Sequence, residues 1–160
     1  MTQHFNYYLT GTGWAEVFFS NEKQNIRFNI SYLSDPLSDL LGGLCRLLEN
    51  QSSKEKIIFA EEPGEHSLII SKLDKETITI EIFWSMQWGE LDANYKNQSK
   101  KELVYFDTDT LINFTSVICV GVDGLLGRLT LSEYKEKWSL FEFPNDNYSQ
   151  IKRLLKEQQH

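Results

Sequence analysis

Over residues 34–41 the spacing of apolar side chains switches from a strand period to a helix period, and this switch constrains the fold more than any other feature. Before it, Ile26, Phe28, Ile30 and Tyr32 fall on every second residue and so share one face of a strand. After it, Leu37, Leu40, Leu41, Leu44, Leu47 and Leu48 recur at three and four, the spacing of one helical stripe. Between the two patterns, Asp35 suits the N-cap, where a carboxylate accepts bonds from the first free backbone N–H groups. Pro36 suits the next position, where its missing N–H costs nothing. A strand that feeds a helix here predicts an α+β fold in which the helix covers a sheet.

The rest of the chain extends that pattern. Strands are predicted over 5–10, 14–20, 25–33, 56–61, 66–73, 76–85 and 102–107, with turns at Gly11-Thr12-Gly13, at 21–24 and at Asp74-Lys75. Within 76–85, Ile78, Ile80, Ile82 and Trp84 face one way while Thr77, Thr79, Glu81 and Phe83 face the other, as in an antiparallel sheet covered on one side. The first helix is predicted over 36–49, with Gly42-Gly43 allowing its backbone to lie close on a neighbour. Thr108 or Asp109 is expected to cap a long apolar helix to about Arg128, and Ser132 to start a short one ending near Trp138. Asn145 or Asp146 is expected to cap a terminal helix with Tyr148, Ile151, Leu154 and Leu155 as its buried stripe. Strands and helices segregate rather than alternate, which argues against a doubly wound parallel sheet. The expectation is one α+β domain over residues 1–160: a twisted, mainly antiparallel sheet of six or seven strands, with helices packed on one face.

Composition excludes several function classes. A chain of 160 residues buries roughly 70% of its unfolded surface and needs no metal or disulfide to fold. Its formal charge of −7 argues against nucleic acid, which requires clustered Lys and Arg, and against anionic lipid. The same charge would draw a basic partner. Residues 1–8 lack the basic region and apolar run of a signal peptide. The uncharged run 110–122 falls short of the ~20 residues of a membrane span and reads as a buried helix. Cys45 and Cys119 sit within helix patterns and read as reduced, packed thiols, so a cytoplasmic location is expected.

Motifs for chemistry are sparse. Gly11-Thr12-Gly13 lacks the Lys-Ser/Thr and the helix of a phosphate loop and reads as a hairpin turn. Gly121, Gly124 and Gly127 read as a small-residue packing seam. His4, His66 and His160 lie far apart, and neither cysteine has a ligand partner nearby, so no metal site and no cofactor are expected. The run Glu61-Glu62-Pro63-Gly64-Glu65-His66 could supply a general acid and base, although Pro63 and Gly64 make it read first as a solvated turn. Asp107 and Asp109 are accounted for by helix capping, and no nucleophile signature occurs, so no catalytic residue is assigned.

The segment that invites a partner follows the sixth predicted strand. Met86, Trp88, Glu90, Asp92 and Tyr95 combine large adaptable side chains with acids in a stretch without clean periodicity, and such residues are enriched at protein interfaces. They are the expected partner-binding residues. Further, Gly13-Trp14-Ala15-Glu16-Val17, Ser31-Tyr32-Leu33-Ser34-Asp35-Pro36-Leu37, Glu61-Glu62-Pro63-Gly64-Glu65 and Tyr134-Lys135-Glu136-Lys137-Trp138 with Phe143-Pro144 resemble segments of a family of small uncharacterised bacterial proteins. That family has no assigned activity and no catalytic residues to carry over. In size, acidity and α+β pattern the chain is also similar to immunity proteins, which block a toxin by binding it. The resulting expectation is a non-enzymatic protein-interaction module, immunity-like, with a basic protein partner. The alternative is a small-molecule binding domain, and an enzyme using Glu61, Glu62, Glu65 and His66 ranks third.

Overall fold

Three strands joined by short turns open the chain: β1 (Thr2–Gly11), β2 (Trp14–Asn21) and β3 (Asn25–Ser31). The first turn needs a left-handed residue, which Gly13 supplies at φ +78°. Asn21 closes the second, its side-chain oxygen accepting from the N–H groups of Lys23 and Gln24 at 2.9 Å. Then come α1 (Pro36–Leu48), β4 (Lys54–Ala60), β5 (Glu65–Lys72), β6 (Thr77–Ser85), β7 (Glu102–Thr110), α2 (Leu111–Arg128), α3 (Leu131–Trp138) and α4 (Asn145–Gln158). The structure is a computed structural model, and it describes residues 2–86 and 101–158.

The class is α+β, but the strands form two antiparallel sheets rather than one. Their orders are β1-β2-β3 and β4-β5-β6-β7. Each sheet is a simple meander, because every strand pairs with its sequence neighbour. The break falls where α1 intervenes: a helix between β3 and β4 carries the chain away from the hairpin geometry that would have paired them. The sheets meet through aromatic side chains instead. Phe28 packs edge-on against Phe59 at 5.3 Å between ring centroids, and Phe19 lies 6.1 Å from Tyr105.

Helices cover both sheets. Helix α1 packs on β4 and α4, and α2 packs along β1. One core cluster draws buried residues from all these elements, with Leu37, Leu40, Leu41, Leu44 and Leu47 wholly inside. By length and composition α2 is apolar enough to span a membrane, and in the fold it is a core helix with Phe114, Ile118, Val122 and Leu125 fully buried. The expected three-glycine seam contracts to one close approach. A Cβ on Gly121 would lie 2.3 Å from the Phe5 carbonyl oxygen, one on Gly124 would meet only the Arg128 side chain, and one on Gly127 would meet nothing within 4 Å. In α1 the glycine pair does admit close neighbours: the Glu55 side chain at Gly43, and the Asn147 side chain at Gly42.

Helix starts differ from expectation in informative ways. Strand β7 runs on to Thr110, so Thr108 and Asp109 belong to the strand, and Thr110 caps α2 by accepting from Asn113 N–H at 3.1 Å. Asp109 is instead buried, accepting two bonds from the Asn113 side-chain amide at 3.0 and 2.8 Å. Helix α3 starts one residue before Ser132, with Thr130 and Glu133 forming a reciprocal capping box. Asn145 is already the first residue of α4, and Tyr148 N–H bonds the Pro144 carbonyl.

Asp35 occupies the N-cap position of α1, but its side chain makes no capping bond. Burial, and then the charge of Asp39, push its carboxyl up to about 6; the Trp138 indole and the Ser38 N–H, outside good hydrogen-bond geometry, pull it back only in part. A folded-state value above the unfolded one means that the folded chain holds the proton more tightly. The stability this confers is complete below about pH 4 and is lost as pH rises through 6. Asp35→Asn, which keeps the shape and removes the charge, is therefore expected to raise the melting temperature at pH 7.5 and to change it little at pH 4. An equal effect at both pH values, read by circular dichroism melts, would contradict this assignment.

Candidate functional site

Strand register arranges the outer face of the second sheet in rows, since residues paired across strands project to the same side. Ile58, Ser67, Phe83 and Leu103 form one row; Lys56, Ile69, Glu81 and Phe106 form the next. A bulge in β7 opposite Ile82 and Phe83 adds a residue, and this keeps both Leu103 and Phe106 on that side. Leu103 is 49% exposed and Phe106 46%, while Ile58, Ile69 and Phe83 are half-buried. Single exposed apolar side chains are ordinary, but five in adjacent rows form a contiguous surface.

Glu81 lies in the second of these rows. It is half-buried, with Ile69 on one side and Phe106 on the other, and among the described residues no cation or hydrogen-bond donor pairs with its carboxylate. Beyond it the row Ser71, Thr79 and Thr108 is polar, so Glu81 stands at the border of the apolar rows. A carboxylate in that position is a good receptor for a cationic group, because apolar neighbours help exclude competing water once a partner docks.

Met86 follows β6 directly and is 61% exposed. The other expected partner-binding residues, Trp88, Glu90, Asp92 and Tyr95, lie outside the described residues. Sequence reasoning passed over Leu103 and Phe106. The signal was present: along 76–85 and 102–107 the face read as wet carries Phe83, Leu103 and Phe106 where alternation calls for polar residues.

The acid–base run separates. His66 Nδ1 lies 2.5 Å from Glu61 Oε2, and its ring is stacked on Phe28 at 4.0 Å and tilted against Trp84 at 4.8 Å. Glu65 precedes it in β5 and therefore projects to the opposite face, so the strand separates Glu65 from His66 within the run. The imidazole thus joins the aromatic contacts between the two sheets, with Glu61 fixing its orientation. Among the described residues, no three His, Cys, Asp or Glu side chains gather as metal ligands would. Cys45 and Cys119 are free, buried thiols; burial pushes both up, Cys119 to about 11, which leaves them protonated and unreactive.

No family model, curated protein or solved structure matches the chain.

Proposed function

We propose that this protein is a non-enzymatic interaction module that docks a basic protein partner on the outer face of its four-stranded sheet. The observation that carries the reading is Glu81, a carboxylate beside Ile69, Phe83 and Phe106 that has no partner among the described residues. The partner it suits presents an arginine or lysine flanked by apolar side chains. The apolar rows supply buried area, and the ion pair supplies register. The chain's net charge of −7 adds long-range attraction for such a partner and speeds encounter at low salt. Met86, Trp88, Glu90, Asp92 and Tyr95, close in sequence after β6, offer aromatic and acidic chemistry of the kind such a partner would meet. An immunity-type inhibitor, holding a basic toxin domain by its surface, is the form of module that this chemistry fits.

Selection of a random peptide library on the purified protein tests the reading without a partner in hand. Enriched peptides are expected to carry Arg or Lys beside large apolar residues. Their affinity is expected to fall about tenfold with Glu81→Lys and with Phe106→Asp, about 1.4 kcal/mol in each case, and to weaken with added salt. Peptides without a basic residue, or binding indifferent to both substitutions, would refute it.

A further inference from the structure

Away from that sheet face, four buried polar atoms from three separate parts of the chain lack a hydrogen-bond partner among the described residues: Tyr7 OH, Asp35 Oδ1, Tyr134 OH and Trp138 Nε1. The Tyr7, Tyr134 and Trp138 side chains have no exposed surface at all. Such groups are almost always satisfied in native proteins, so four together point to a missing partner. They form one group. The rings of Tyr7 and Trp138 meet edge-on at 6.4 Å, the Asp35 charge acts on both phenols, and the indole N–H faces the Asp35 carboxyl.

The surrounding backbone holds these parts rigidly together. Gly13 N–H donates to the Lys137 carbonyl at 2.7 Å, one residue before Trp138, and the Gly13 carbonyl accepts from Tyr32 N–H at 3.0 Å. The Tyr32 ring lies against Gly13, leaving no room for a Cβ there. Asp35, half-buried, is the member nearest solvent, and Trp14, Tyr32 and Leu33 stand exposed at the same end.

We propose that Tyr7, Asp35, Tyr134 and Trp138 form a recognition site for a primary ammonium group. Its three N–H donors match three oxygens: the Asp35 carboxylate and the two phenols, each of which can accept. The Tyr and Trp rings attract a cation. The neighbouring Asp39 reinforces the negative potential. Anions are repelled by the same carboxylates. A guanidinium, with five planar donors, asks for more acceptors than the group provides. The indole N–H is then free to serve the second Asp35 oxygen. Exposed Trp14, Tyr32 and Leu33 would flank the alkyl chain of the amine. This site is independent of the sheet face and of the partner read there.

Melting curves at pH 7.5 with methylammonium or n-butylammonium chloride, against NaCl and KCl at equal ionic strength, test it. At ten times Kd the ammonium salts are expected to raise the melting temperature by about 3–6 °C beyond the salt controls. Asp35→Asn and Tyr134→Phe, each checked for native circular dichroism, are expected to weaken binding at least tenfold by calorimetric titration. Nα-acetyl-lysine amide distinguishes sources: binding as tight as butylammonium points to a lysine side chain, and exclusion of the lysine derivative to a free small amine. No shift beyond the alkali salts would overturn the proposal and leave ordered water as the partner of the four atoms. An ammonium shift that survives intact in Asp35→Asn would overturn it too.

Discussion

Trp138→Ala is expected to destabilise the protein by about 3–5 kcal/mol, a large share of the roughly 5–15 kcal/mol typical of a folded domain. Trp138 ends α3 with no exposed surface and is among the largest side chains enclosed by the core. Its truncation removes the edge-on contact with Tyr7 and leaves a cavity that rigid neighbours cannot close. Those neighbours are fixed from both ends: the Thr130–Glu133 capping box holds the start of α3, and the Gly13 N–H clamps the Lys137 carbonyl near its finish. Urea unfolding should show a lower midpoint with unchanged slope, and Trp138→Phe should recover a good part of the loss. A change below about 1 kcal/mol for the alanine variant would mean that the indole is not packed as described.

Gly121→Ala is expected to destabilise by about 1–3 kcal/mol, even though alanine is the better helix former by about 1 kcal/mol. The added methyl would sit 2.3 Å from the Phe5 carbonyl oxygen and 2.6 Å from its ring, so α2 must shift away from β1 along its length. Backbone cannot rotate aside as a side-chain tip can. Gly127→Ala, on the same helix with nothing within 4 Å of the new Cβ, supplies the control and is expected to be stabilising. Opposite signs for the two variants in thermal melts would locate the close approach at Gly121. Like signs would remove it.

Much of the local structure was legible in residue spacing. Alternation in 26–32 and 76–85 marks strands because each shows one face to the core, and the leucine stripe of 37–48 marks a helix for the same reason. What spacing does not carry is the pairing of strands remote in sequence, so one sheet and two sheets read alike until the Phe28–Phe59 contact shows the gap between β3 and β4. Ends were misplaced where a polar side chain had two uses. Asp109 read as a cap and is a buried strand residue held by Asn113, and Asp35 read as a bonded cap and is a half-buried carboxyl facing Trp138. The candidate site was half legible. Met86 and the acidic balance could be seen in the chain, whereas the grouping of Glu81 with Leu103 and Phe106 depends on register and a bulge. Tyr7 and Trp138 meet across more than a hundred residues, and no local pattern announces that contact.

The packing of α2 on β1 also sets a timetable for synthesis. Strands β1 to β3 are complete by residue 31, yet the helix that packs on β1 begins at Leu111. At translation rates of roughly 5–20 residues per second, the inner face of the first meander waits uncovered for on the order of 4–16 s. Phe5, Tyr7, Val17 and Phe19 then form a greasy plate at the mouth of the ribosome, a natural landing place for a holding chaperone. Strand β4 has no such wait, since α1, which packs on it, is made before it.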